Sequence, residues 1–253
     1  MSKIKLLLIA LTVALYSCGG SDGPTYPLDK RYWDLNDYEN VILDLKYSYE
    51  ADEQKPTLDN PETRAIVEKL VDQQNFKVVL EDQELGLNYR NDIAQKFFDT
   101  WRNMNTIYNA TDRQDKYLYE KEMLAVWHFG LALQLDYFSL GTQQNLEGAD
   151  SPDDFQTRNV INDNVRRLIG NYMIYLDEVD NEDAYSEQGL KLFAEGLDTY
   201  FPKLVETYPD ANYAALKKKA EALVNKSESE VVKKSLNDLV TLLTPEPEDQ
   251  LAE

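Results

Sequence analysis

The side chains that could do chemistry are few. The chain has one His, His128, and one Cys, Cys18. A lone imidazole is one candidate general base, and it would need a carboxylate or a water brought from another element. Leu124, Leu131 and Leu135 share its helical face, the setting of a packed core histidine rather than a catalytic one. One thiol excludes an intrachain disulfide and a thiolate zinc cluster, and one histidine excludes a multi-histidine metal site. No Gly-x-Ser-x-Gly elbow, phosphate loop or His-Glu-x-x-His helix occurs. The expectation is therefore a protein that is not an enzyme, with no catalytic residue, metal or cofactor assigned.

Carboxylates are abundant, and two groups of them fall near helix ends. Asp177, Asp180, Glu182 and Asp183 lack the Asp-x-Asp/Asn-x-Asp-Gly spacing, with its distant Glu, of a calcium loop. Asp150, Asp153 and Asp154 sit where negative charge favours a helix N-terminus anyway. Both groups read as structural. Aromatics are the larger excess, with 17 Tyr, 8 Phe and 3 Trp. Tyr32, Trp33, Tyr38, Tyr47 and Tyr49 gather in one stretch, and aromatic faces anchor protein interfaces and stack on sugar rings. These five are the candidate contacts to a ligand or partner, although core packing against the bundle is the commoner fate of such rings. The formal charge of −20 repels phosphate backbones, so nucleic acid is not an expected partner.

The elements that must position these residues are helices. The body has seven glycines and neither Asn-Gly nor Asp-Gly, which argues against a sandwich built from tight hairpins. Asn60-Pro61 opens a helix over about 61–74 carrying Ile66, Val67, Leu70 and Val71 on one face. Lys77-Val78-Val79-Leu80-Glu81 is the one strand candidate, or else an extended connector. Ile93, Phe97, Trp101, Met104 and Tyr108 make one stripe of a helix over about 88–109. Thr111 with Gln114 resembles a capping box for a helix over about 113–140. That helix is apolar on nearly every face from Met123 to Leu140, as befits the middle of a bundle, with Gly141 as C-cap. Ser151-Pro152 with Asp154 starts the next, whose stripe is Val165, Leu168, Ile169, Tyr172, Leu176 and Val179. Leu190, Phe193, Leu197 and Tyr200 continue the pattern to Pro202, where a kink or break is expected. Helices over about 211–225 and 228–243, the latter capped by Ser227 with Glu230, close the body. The fold class is all-α: a helical bundle or short helical-hairpin array of about seven helices.

The N-terminus carries the strongest sequence signal. Lys3 and Lys5 precede an apolar run from Leu6 to Leu15, then Tyr16-Ser17-Cys18-Gly19-Gly20, which is the layout of a secretory signal. Leu15-Tyr16-Ser17-Cys18 resembles the lipobox of bacterial lipoproteins, and the Cys-Gly-Gly-Ser-Asp opening is similar to those of the Bacteroidota. The resemblance implies that Cys18 becomes the acylated first residue of the mature chain. It also implies an outer-membrane address, from Gly19 rather than Asp after the cysteine. Two or more acyl chains anchor stably where one does not, so the membrane is an expected partner through lipid on Cys18. The organisation that follows is a signal peptide at 1–17, a lipidated Gly- and Pro-containing tether at 18–33, a helical body at 34–244 and an acidic, disordered tail at 245–253.

Residues 101–141, from Trp101-Arg102-Asn103-Met104-Asn105 to Tyr137-Phe138-Ser139-Leu140-Gly141, resemble a helical segment of the nutrient-binding outer-membrane lipoproteins that partner glycan transporters. The expected function is that of a non-catalytic accessory or scaffolding subunit in the cell envelope, bound to another envelope protein. The alternative is a glycan- or nutrient-binding lipoprotein using surface aromatics.

Overall fold

The computed structural model describes residues 26–50, 54–109, 116–149 and 154–244. Cys18, the Thr111/Gln114 pair, Ser151-Pro152 and the 245–253 segment lie outside them. Within the described residues the fold is an all-α bundle. Its helices are α1 (Leu35–Glu50), α2 (Arg64–Leu70), α3 (Gln74–Leu80), α4 (Leu87–Asn109), α5 (Glu120–Glu147), α6 (Phe155–Tyr175), α7 (Glu187–Thr207), α8 (Ala214–Lys226) and α9 (Glu230–Leu242). A 3-10 helix, Leu176–Ala184, follows α6 directly.

α5 is the axis. From Met123 to Leu140 its side chains are apolar on nearly every face, so α4, α6 and α7 all pack against it. The first part of the body is held to it by rings: Tyr38 of α1, Phe76 of α3, Phe97 of α4 and Phe129 of α5 meet at centroid distances of 5.2–6.4 Å. Such pairs add to the burial of their large apolar areas. α8 and α9 form a hairpin that leans on α7 through α9.

The 61–74 expectation is shortened, and the strand candidate is corrected. α2 ends at Leu70, and residues 77–80, read as a strand, form the last turn of α3. Phe76 and Leu80 are one helical turn apart and both buried, and this spacing outweighs the local β preference of Val78 and Val79. Gly141 is no C-cap: α5 runs through it to Glu147, with Gly148 at the cap. Pro202 neither ends nor splits α7. It falls on the exposed face, where the loss of one backbone hydrogen bond costs least, while buried Tyr200, Phe201 and Leu204 hold both sides of it. α9 is capped by Ser229, whose hydroxyl accepts from Val232 N, rather than by Ser227. Asp154 caps α6 by accepting from Thr157 N at 2.8 Å.

Residues 26–33, read as part of the tether, fold back onto the body. Trp33 is fully buried; its indole donates to the Pro27 carbonyl at 3.0 Å and its backbone N–H to Asn75 Oδ1 at 2.9 Å. Asp34 and Asp37 then cap α1 reciprocally, each accepting the other's backbone N–H at 3.0–3.1 Å.

Gly141 and Gly170 lie inside α5 and α6 with nothing within 4 Å of where a Cβ would stand. Gly141→Ala and Gly170→Ala should each raise stability by about 0.5–1 kcal/mol, by removing unfolded-state entropy at no steric cost. Urea midpoints check this; a fall in either would show that the space is needed.

Candidate functional site

The five candidate aromatics do not form one surface. Trp33 and Tyr38 are both fully buried in the core, which corrects their reading as contact residues: their area is spent on packing. Tyr32 is half-buried beside Arg31 and Lys69, whose charges lie 5.0 and 5.9 Å from its ring. Tyr47 on α1 is 61% exposed. Tyr49 lies in the last turn of α1, with its side chain outside the described residues.

His128 meets a tyrosine instead of a carboxylate. Its Nε2 is 3.1 Å from Tyr175 Oη, which donates to the Phe193 carbonyl at 2.9 Å. With that proton engaged, the imidazole is the donor to Tyr175. Burial pushes His128 down to about 4, so it is neutral at pH 7.

The acidic groups tie the body together. Asp177 pairs with Lys219 and Asp180 with Lys226. Glu182 accepts from the Ser227 hydroxyl and the backbone N–H groups of Glu228 and Ser229, covering the N-terminus of α9. Glu120 does the same for α7 through Ser186 N, at 2.7 Å. Among the described residues no group of three His, Cys, Asp or Glu side chains is placed to hold a metal ion.

One feature with room for a partner is a groove between α6 and the α7–α8 connection, of about 770 Å³. Ile161, Val165 and Ile169, four residues apart on α6, form its floor. The other wall is Thr207–Asn212 with Ala214 and Ala215 of α8. Tyr208-Pro209 ends α7 because a residue before proline avoids helical backbone. The connection is then pinned by Tyr213, whose hydroxyl lies 2.9 Å from the Tyr208 carbonyl and 3.1 Å from that of Leu204. Small side chains at Ala211, Ala214 and Ala215 leave the space open. Asn162 and Arg166 line the α6 rim, Asp210 and Asn212 the other. Phe155, 72% exposed at the start of α6, is seven residues before Asn162 and so on its side of the helix. Sequence periodicity buried Val165 and Ile169 but could not show the groove, because its second wall is a connection whose position only the tertiary fold sets.

No family model, curated protein or solved structure matches the chain.

Proposed function

We propose that the protein is a lipid-anchored, non-catalytic accessory subunit of a bacterial envelope complex, acting through protein contacts. The observation that carries the anchor is the position of the chain's single cysteine, directly after Ser17 at the end of an apolar leader. Among the described residues no helix is long and apolar enough to cross a membrane, so in this reading lipid on Cys18 holds the body at the surface. Its most polar buried groups close helix ends and core hydrogen bonds, while the groove beside α6 offers apolar area rimmed by polar groups, the composition of a contact site. Capture of glycans on surface aromatics is weaker, since Trp33 and Tyr38 are inside the core.

Two measurements test the reading. Cys18→Ala should move the protein from the membrane fraction to the soluble fraction of the envelope; retention on membranes would end the tether claim. Affinity capture of the tagged full chain in mild detergent should recover a stoichiometric envelope protein. Recovery of the protein alone would end the accessory claim.

A further inference from the structure

The geometry points to the groove between α6 and α8 as a docking site for an acidic peptide segment of the partner, one carrying an apolar side chain. This deepens the accessory-subunit reading and rests on it. Charge carries the inference. In a chain of 46 acids and 26 bases, α6 brings Arg158, Arg166 and Arg167 against Asp163, and α8 brings Lys217, Lys218, Lys219 and Lys226 against Glu221. The two helices beside the groove are thus a basic island on an acidic protein.

Some of that charge is already engaged, that of Arg158 beside the cap residue Asp154 included. Lys219 and Lys226 hold the 3-10 helix, and Lys217 lies 3.9 Å from Glu221. Lys218 makes no ion pair among the described residues and lies on the same face as Ala214 and Ala215, one turn on. The Arg166 side chain is 77% exposed and, among the described residues, pairs with Asp163 of its own helix, itself 58% exposed, at 2.8 Å. An exposed pair of this kind is worth little and yields to a better carboxylate. Among the described residues Asp210 is the one acid lining the groove.

The floor sets the rest of the ligand. Ile161, Val165 and Ile169 against Ala211 and Pro209 would receive an aliphatic or aromatic side chain, with Phe155 extending the apolar track. From Phe155 to Ile169 the helix rises about 21 Å, the length of about six residues of extended peptide. Anionic flanks would meet Arg166 and Lys218, whereas a basic segment would be drawn to the acidic remainder of the surface.

The test uses the full chain in mild detergent and a fluorescein-labelled peptide, Asp-Glu-Asp-Leu-Phe-Leu-Asp-Glu-Asp, followed by anisotropy. Saturable binding that weakens with salt is expected, and the same peptide with Lys for every acid, or Ala for Leu and Phe, should not bind. Arg166→Glu and Ala215→Trp are exposed-site changes, and equal melting curves establish that they fold. Each should weaken binding about tenfold, the first by repulsion and the second by filling the groove. Equal binding of acidic and basic peptides, or wild-type affinity in both variants, overturns the proposal. So does tighter peptide binding by a chain carrying Glu246→Lys, Glu248→Lys and Asp249→Lys together, which would make the chain's own acidic segment the occupant. Affinity capture that finds no partner fails the accessory reading without altering the peptide result. A partner retained equally by Arg166→Glu fails the groove alone.

Discussion

Gly130→Ala should destabilise the protein by about 2–3 kcal/mol, lowering the melting temperature by roughly 5–10 °C. The usual rule runs the other way, because alanine is the better helix former by up to about 1 kcal/mol. Position 130 reverses it because the indole of Trp101 lies against the bare backbone of α5. A Cβ there would fall inside the space of Trp101 Cε2, Cζ2 and Nε1. The ring has nowhere to go. Its Nε1 donates to the Val126 carbonyl at 3.0 Å, and Trp127 and Phe98 pack against it at 6.0 and 5.8 Å. Gly196 poses the same problem on α7, where a Cβ would strike Tyr175 Oη and His128 Nε2. Gly196→Ala should therefore cost a similar amount and break the Tyr175–His128 contact as well. Thermal and urea unfolding followed by circular dichroism measure both. Wild-type stability in Gly130→Ala would mean that Trp101 does not press on α5 as described. Opposite signs for Gly130 and Gly141, eleven residues apart on one helix, would show that close approach, and not helix propensity, governs this element.

That contrast marks what a sequence of this kind discloses. The all-α class was legible because apolar residues recur at three and four, and every residue of the Val165, Leu168, Ile169, Tyr172, Leu176 and Val179 stripe is buried. The centrality of α5 was legible because a helix without a polar face has to be surrounded. The ends of elements were less so. Lys77–Glu81 reads as a strand until Phe76 and Leu80 are seen to point at one core, and Gly141 reads as a stop although nothing near it stops a helix. The closures of α7 and α9 come from Glu120 and Glu182, partners 66 and 45–47 residues away in sequence, which no local motif announces. The aromatic cluster is unusual in the sequence, but composition does not say which side of a ring faces water, and its members divide between the core, Trp33 and Tyr38, and the surface, Tyr47. Trp33 faces the core because residues 26–33 fold back and Asn75 receives its N–H.

The second large effect is hidden in the wild type because two buried groups on α5 oppose each other in acid. His128 is held down to about 4 from an ordinary 6.5, by burial above all. The unfolded chain binds that proton first, so the folded state loses stability as pH falls from 6.5 to 4, by at most about 3 kcal/mol. Asp136 is pushed up from 3.8 to about 6, again chiefly by burial, with Lys77 and Lys203 opposing the shift and Glu81 adding to it. Its Oδ2 is buried without a hydrogen-bond partner among the described residues. Here the folded state binds the proton first, so the cost of the buried charge is present above pH 6 and is relieved as pH falls to 3.8, again by at most about 3 kcal/mol. The two slopes have opposite signs and nearly coincident windows. Asp136→Asn should accordingly stabilise the protein at pH 7, where it removes a buried charge. Relative to wild type that gain should vanish by about pH 4, because acid no longer rescues the variant. His128→Phe should do the reverse, matching or falling below wild type at pH 7 and gaining on it toward pH 4 as imidazole protonation is abolished. Urea unfolding of the three proteins at pH 4, 5, 6 and 7 separates these terms from the carboxylate background they share, since that background cancels in each difference. A stability difference for Asp136→Asn that does not change with pH would mean that the carboxylate titrates normally, and that water reaches Oδ2 in the folded protein.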